Sequence, residues 1–387
     1  MPVDRSNVGS EDRKEFAHIS TRGERLRACN HTTRATAKAC DPCHCRVKEE
    51  EIRVWIDLAN SPHVALFGEI VDDLRQRGHK VILTARDHAQ TAGLAQQRWP
   101  DVVVIGSGSP KALGAKAAAV ARRALDLAHL LKAEEPDVAL SHGSYAQALA
   151  AKRLGVPLVT MMDYEHQPAN HLSFRLARRV IVPKVFPASA LRRFGARGTK
   201  VLRYDGFKEQ LYLAGFRPNQ DVIDQLGLAQ DKIIVVMRPA PEGALYHRMA
   251  NDRFDELLEI VRRRSDVDAV LLPRGMDDKS RYAALEGVTV PDEPIDALSL
   301  LASADLTIGG GGTMTRESAL IGTATYTVFI GRPAAVDAEL MRLGLLHDLR
   351  GQGLPVFAKS SGQSKPHLKE GRTEILATIR VALAQAG

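Results

Sequence analysis

From Arg53 onward, apolar residues fall in short β-rich runs separated by longer stretches with helical spacing. The run 53–58 (RVWIDL) reads as a strand ending in Ala59-Asn60-Ser61-Pro62-His63, and 64–77 as a helix closed by Gly78. The alternation goes on to predict strands over 80–84, 102–105, 137–141, 157–161, 180–183 and 200–204, with helices over 86–98, 111–132, 144–154 and 169–177. A second series predicts strands over 233–237, 269–272, 288–290, 306–308 and 325–329. Its helices fall near 247–264, 277–285, 294–302, 313–321 and 334–343. The stretch 206–225 joins the two series, 351–366 reads as loop, and 370–384 as a terminal helix able to cross back onto the first series.

Strands alternating with helices specify parallel sheets covered on both faces. The expected class is therefore α/β, with two doubly wound Rossmann-like domains facing across a cleft. Residues 52–210 form the first domain, 220–357 the second, and 367–387 the terminal helix. In open sheets of this kind ligands bind beyond the carboxyl ends of the strands. The loops with unusual chemistry, 57–63, 142–144, 163–166, 238–246 and 309–313, all fall there and come from both halves.

The most informative of these is Gly309-Gly310-Gly311-Gly312, between a predicted strand and a helix opening at Thr313. Glycine lets backbone approach a bulky anion, and the N–H groups of a helix start attract negative charge. The turn reads as a phosphate cradle. Glu317, one helical turn further, suits sugar hydroxyls better than phosphates, which a carboxylate repels. A tight turn shaped by packing is the plain alternative, and one or two glycines would serve it. Arg238, after the strand 233–237, can bind a phosphate in bidentate fashion or make a surface ion pair.

Length and composition narrow the class. The 387 residues suffice for two cores, and no apolar run is long enough to span a bilayer. With no apolar core of a secretory signal at the N-terminus, a cytoplasmic protein is expected. The net charge of +7 favours anionic partners. Arg175, Arg178 and Arg179, then Arg192, Arg193, Arg197 and Lys200, form two local basic clusters that read as solvated faces or as a peripheral contact with an anionic membrane. Aromatic content of 5% leaves little for base stacking, and no specific nucleic-acid partner is expected. All four cysteines precede residue 50; Cys40, Cys43 and Cys45 with His44 have metal-ligand spacing but form only one knuckle. The polar, aperiodic segment 1–50 reads instead as a disordered extension upstream of the folded protein. No metal is expected after Arg53.

The first half supplies candidates for acid–base chemistry. Asp57 ends the first strand, His63 opens the next helix, and Asp163, Glu165 and His166 lie together in Asp-Tyr-Glu-His. A carboxylate beside an imidazole orients it and raises its basicity. Asp57 reads equally as a brace for the 60–63 loop, His63 as an anchor of its helix, and His142 as a packed ring beside Gly143. For the 163–166 cluster the balance tips to chemistry.

The segments RVWIDLANSPHV, HGSYAQALAAKRLGVPLVTMMDYEH and GGGGTMTRESALIGTATYTVF together resemble domain-of-unknown-function family 354. That family is itself similar to non-hydrolysing UDP-N-acetylglucosamine 2-epimerases, and the resemblance covers roughly 53–357. It implies a GT-B architecture with a nucleotide sugar held by the second domain. By that resemblance the glycine loop (Gly309, Gly310, Gly311, Gly312) and Thr313 hold the diphosphate, Glu317 the ribose and Arg238 a phosphate. The nucleotide sugar is then a substrate, and no separate cofactor is expected.

Two departures stand out. Ser144 occupies the place of an epimerase aspartate, and Met237 precedes Arg238 where the epimerases have histidine. Neither side chain carries a proton near neutral pH, and epimerisation needs acids and bases on both sides of the sugar. A nicotinamide dehydrogenase is excluded by Met314 at the third-glycine position and by the absence of an acidic residue near Phe329-Ile330-Gly331. No P-loop and no nucleophile elbow occur. The expected function is a glycosyltransferase-like enzyme using a UDP-type donor and a lipid-linked or polysaccharide acceptor. The alternatives are a 2-epimerase-like enzyme and a non-catalytic sugar-nucleotide-binding protein.

Overall fold

A computed structural model describes residues 50–88, 90–108, 112–240, 252–274, 276–351, 353–360 and 368–387. The cysteine segment, residues 241–251 and residues 361–367 lie outside the described residues.

Seven parallel strands form the first sheet: β1 (Arg53–Leu58), β2 (Lys80–Asp87), β3 (Val103–Ser107), β4 (Val138–His142), β5 (Leu158–Met161), β6 (Arg179–Pro183) and β7 (Val201–Tyr204). Their connecting helices are α1 (Pro62–Gln76), α2 (Thr91–Arg98), α3 (Leu113–Glu134), α4 (Tyr145–Leu154), α5 (Asn170–Leu176) and α6 (Ala188–Phe194). The connector to the second sheet carries two short helices, α7 (Gln210–Leu213) and α8 (Asp221–Gln225). The second sheet has β8 (Ile233–Arg238), β9 (Val267–Leu271), β10 (Leu306–Gly309), β11 (Ala324–Thr327) and β12 (His347–Asp348), again all parallel. Helices α9 (Asp252–Arg262), α10 (Met276–Tyr282), α11 (Ala297–Ser303), α12 (Thr313–Ile321) and α13 (Ala335–Arg342) cover it, and α14 (Leu368–Ala384) ends the chain.

Both sheets are apolar on both faces, because each is covered on both sides. In β1 the two-residue period sends Val54, Ile56 and Leu58 toward α1 and α14, and Trp55 toward α3 and α4. In β8 Ile234 and Val236 pack with α11 and α12, while Ile233, Val235 and Met237 pack with α9. The terminal helix belongs to the first core: Ile375, Leu376, Ile379 and Leu383 share one apolar cluster with Val54, Phe67 and Ile70.

Strand order places the site. The first sheet runs β3-β2-β1-β4-β5-β6-β7, and the second β12-β11-β10-β8-β9. The winding reverses between β1 and β4 in one sheet and between β10 and β8 in the other. At such reversals neighbouring connections leave on opposite faces and open a crevice at the strand ends. Asp57–His63 and His142–Ser144 follow the first pair, and Arg238 and the four glycines end or follow the second.

Three expected elements differ, the first being the helix expected over 86–98, which begins at Thr91 because β2 runs on to Asp87. The strand expected over 288–290 is reduced to one bridge, from Thr289 to Val270. The helix expected at 294 begins at Ala297, because Asp296 caps it by accepting the Ser299 N–H at 3.1 Å.

Among the described residues no helix is long and apolar enough to cross a membrane. Ile379→Ala, in a fully packed position of α14, is expected to cost about 2–5 kcal/mol by urea denaturation. An unchanged midpoint would mean that α14 adds nothing to the first core.

Candidate functional site

The two crevices face each other across a cleft of about 600 Å³, within the range of small-molecule sites. Asn60, His63, His142 and Asp163 contribute from the first sheet, Lys208 and Tyr212 from the connector, and Arg274, Gly310–Gly312, Thr313 and Arg316 from the second.

Local packing requires each of the four glycines. A β-carbon on Gly309 would lie 2.3 Å from Thr315 Oγ1, and one on Gly310 2.4 Å from the Ala240 nitrogen. Gly311 and Gly312 have φ of +88° and +95°, where side chains are strained. A tight turn here therefore needs all four, contrary to the expectation that one or two would serve it. The feature that bears on ligands is where the turn points. Gly310, Gly311, Gly312 and Thr313 all lie on the cleft wall, at the start of α12, whose first-turn N–H groups have no intrahelical acceptor. Arg274 donates from Nε to the Pro239 carbonyl and from Nη2 to the Gly311 carbonyl, each at 2.8 Å. This holds a guanidinium on the same wall.

A buried knot of charges joins this wall to the first sheet. Asp163 accepts from Arg316 Nη1 at 2.6 Å and from Lys208 Nζ, and His142 Nε2 stands 3.2 Å from its other oxygen, off the line of a good hydrogen bond. Lys208 also donates to Glu209 at 2.6 Å, and Arg316 Nε to Asp337 at 2.6 Å. Burial pushes the Asp163 carboxyl up, but Lys208 and Arg316 hold it well below the usual carboxylate range. Asp163 is thus an anion whose Oδ2 is held by both cations, with Oδ1 facing His142 Nε2. The same burial lowers Lys208 and Arg316, and their carboxylate partners more than offset it.

His63 lines the cleft 5.4 Å, centroid to centroid, from His142. Burial first, and then the His142 charge, push its pKa down to about 3. The ring is neutral near pH 7. Its Nδ1 accepts the Ala59 N–H at 3.1 Å, which assigns the ring proton to Nε2.

Asp57 sits behind the cleft wall, with no exposed surface. It shares the β1 face of Trp55, pointing at α3, where Arg123 donates to both its oxygens at 2.8 and 2.7 Å. Thr84 and Ser144 hydroxyls complete its shell. Burial raises its pKa, and Arg123 with these bonds brings the balance below the ordinary value. The brace is to β2, α3 and α4, not to the 60–63 loop as expected.

The structure separates the other expected residues. Asp163 and His166 were expected as one cluster, but the chain turns at Glu165 and His166, and His166 faces a second hollow with Nε2 3.2 Å from the Pro333 carbonyl and 3.5 Å from Glu165 Oε1. Glu165 is buried between the two and accepts the Ala335 N–H at 2.9 Å; burial raises its pKa. Arg238, expected at a phosphate, sets Nη1 3.8 Å from Met314 Sδ, and it is not among the described residues lining the cleft. Glu317, expected at the ribose, is half-buried and accepts the Tyr212 hydroxyl at 2.7 Å. Burial pushes its pKa up to about 7, Tyr212 opposes this, and Glu209 adds to it.

Arg274, Lys208 and Arg316 were not singled out from the sequence. Arg274 carried a signal: it follows β9 at a carboxyl end, as Arg238 ends β8. Lys208 and Arg316 carried none, since each looks like an ordinary solvated base beside a glutamate.

Two facing parallel α/β sheets with a cleft at their strand ends define a GT-B fold, and solved structures agree. The UDP-N-acetylglucosamine 2-epimerase of Rickettsia bellii matches with a TM-score of 0.64 and 16% identity, over 87% of this chain and 98% of that one. The Methanocaldococcus jannaschii UDP-GlcNAc 2-epimerase, in complex with UDP-GlcNAc and UDP, matches at 0.60 and 13%, over 86% and 93%. The glycotransferase of kitacinnamycin matches at 0.50 and 17%, over 88% and 97%. By sequence the chain belongs to DUF354, described as proteins of unknown function, whose family pattern matches residues 52–349. An uncharacterised protein of Methanocaldococcus jannaschii is 32% identical over 294 residues, 74% of this chain and 85% of its own.

Arg123→Met leaves Asp57 buried without its cation, and urea denaturation should show a loss on the order of 3–5 kcal/mol. A loss below 1 kcal/mol, by the same order-of-magnitude scale, would contradict the brace. Glu317 gives a pH signature. The folded state keeps its proton up to about pH 7, whereas the ordinary value is 4.5. Between these values the folded state binds more protons than the unfolded one, so its contribution to stability is full below 4.5 and falls as pH rises toward 7. Melting temperatures from pH 4.5 to 7.5 should fall more steeply in the wild type than in Glu317→Gln; parallel profiles would contradict the raised value.

Proposed function

We propose that the cleft binds a UDP-type nucleotide sugar and that the protein transfers the sugar to a hydroxyl of a lipid-linked or polysaccharide acceptor. One observation carries the reading: the glycine turn, the α12 start and Arg274 stand across a single cleft from His142 and Asp163. The first group suits a diphosphate, by helix-terminus attraction and a guanidinium fork. The second suits an acceptor hydroxyl. That a fold neighbour is in complex with UDP-GlcNAc and UDP supports the nucleotide.

In this reading Asp163 is not the base, because Lys208 and Arg316 occupy it. It faces His142 Nε2 and favours the proton there, leaving Nδ1 to receive the acceptor proton. The acceptor oxygen forms a bond to the anomeric carbon as the bond from that carbon to the diphosphate breaks. The electron pair leaves on UDP, whose added charge is met by Arg274 and the α12 N–H groups. His63, neutral and protonated on Nε2, offers a hydrogen bond to a sugar or phosphate oxygen. Asp57 acts through Ser144, as a positioning residue for the loop that carries His142. The diphosphate contact passes from Arg238 to Arg274, and Glu317 reaches the ribose only if Tyr212 gives way.

The epimerase reading lacks its groups. Ser144 is spent on Asp57 and on capping α4, and Met237 is fully buried in the second core.

A thermal-shift panel of UDP- and GDP-sugars on the full chain tests the donor. One UDP-sugar should raise Tm by a few degrees or more, as expected for a ligand well above its Kd, and Arg274→Ala should abolish the rise. No rise with any donor would overturn the reading. NMR of that donor incubated without acceptor should show it unchanged, and a new 2-epimer would overturn transfer in favour of epimerisation.

A further inference from the structure

A second hollow of about 700 Å³ opens on the other side of Tyr164, which lines both spaces. Its walls come from both halves of the protein: α5 and α6 on one side, and the chain after β11 and β12 on the other. Nothing in the donor reading uses it.

Its lining carries positive charge, with Glu165 Oε1 outside the lining and 3.5 Å from His166 Nε2. Arg193, Arg332 and Arg350 line it with the imidazoles of His166 and His171, and among the described residues no carboxylate does. Arg350 is already paired, through Nη2 and Nε, with Asp348 behind it. Arg193 donates to the Glu165 carbonyl at 3.2 Å and lies 4.7 Å over the Phe194 ring, so its guanidinium is pinned at the rim. Arg332 is exposed. Arg192 and Arg197, close by in the chain, are exposed. Between the cations the lining is apolar or flat, with Tyr164, Phe194, Ile330 and Pro333.

We propose that this hollow binds a phosphate group carried on an apolar or ring-shaped body, and that this molecule is the acceptor. Guanidinium forks favour the tetrahedral oxygens of phosphate, and the volume beyond one phosphate is lined for a body that packs against rings. The shared Tyr164 wall lets an acceptor anchored here present a hydroxyl to the first cleft. The inference rests on the donor reading for the word acceptor, but binding itself does not. The phosphate can come from a lipid headgroup or from a soluble sugar phosphate, since the recognised chemistry is the same.

Isothermal titration of the full-length protein tests it with octyl phosphate, glucose 6-phosphate, and glucuronate and octyl glucoside as phosphate-free controls. At least one phosphate ester should bind, and Arg193→Ala/Arg332→Ala should weaken it by about tenfold or more. The UDP-sugar thermal shift of that variant should be unchanged, because neither residue lines the donor cleft. Tighter binding of octyl phosphate assigns a lipid source, and tighter binding of glucose 6-phosphate a soluble one. No phosphate ester binding to protein that still shifts with UDP-sugar would overturn the acceptor site alone. Equal binding of glucuronate would overturn the phosphate assignment. Loss of phosphate binding in Arg274→Ala but not in the double variant would place the ligand in the first cleft and overturn the site. If UDP-sugar gives no shift while phosphate esters bind through Arg193 and Arg332, the donor reading fails and the phosphate site stands.

Discussion

The site depends on one buried carboxylate. Asp163 comes from the end of β5, Lys208 from the connector and Arg316 from the first turn of α12, so their ion pairs tie the two sheets and the chain between them at one point. Buried charges lose hydration, and such a knot holds only when every member is partnered. Here Glu209 and Asp337 supply the remaining partners. The return on that desolvation is geometric: the first sheet's histidines and the second sheet's glycine turn meet across a cleft of fixed width. A hydrophobic contact of similar area would bring the halves together without fixing which side chains face.

The cleft divides its chemistry by wall. The second sheet offers backbone N–H groups and the Arg274 guanidinium, beside an Arg316 already held by Asp163 and Asp337, which suits a ligand that is anionic and stays so. The first offers two imidazoles in different surroundings. His63 is kept neutral by burial, and His142 stands against an anion that has no proton to give. Neutral donor, proton acceptor and fixed anion site in one space are what the proposed sugar transfer from a diphosphate needs.

Much of this was legible in the sequence because it is local. The two-residue and 3.6-residue periods marked the strands and helices, and the glycine turn announced itself as a backbone feature. Pairings over long separations were not legible: Asp163 meets Lys208 across 45 residues and Arg316 across 153. Long basic side chains read as solvated by default, and only the fold reveals those that are enclosed. Neighbours on a helix were also indistinct. Arg316 and Glu317 are adjacent, but the helical turn sends Arg316 with Thr313 to the cleft and Glu317 to Tyr212. The tight grouping Asp-Tyr-Glu-His misled in part for the opposite reason, since the turn at Glu165 and His166 keeps those two together and sends His166 to a different space from Asp163.

The most direct test is a crystal structure of the full-length protein with UDP. The account predicts diphosphate oxygens within hydrogen-bond distance of the Gly311, Gly312 or Thr313 N–H groups and of the Arg274 guanidinium, with Asp163 still held by Lys208 and Arg316. UDP bound elsewhere, or a diphosphate turned toward His63 and His142 with the glycine turn empty, would contradict it.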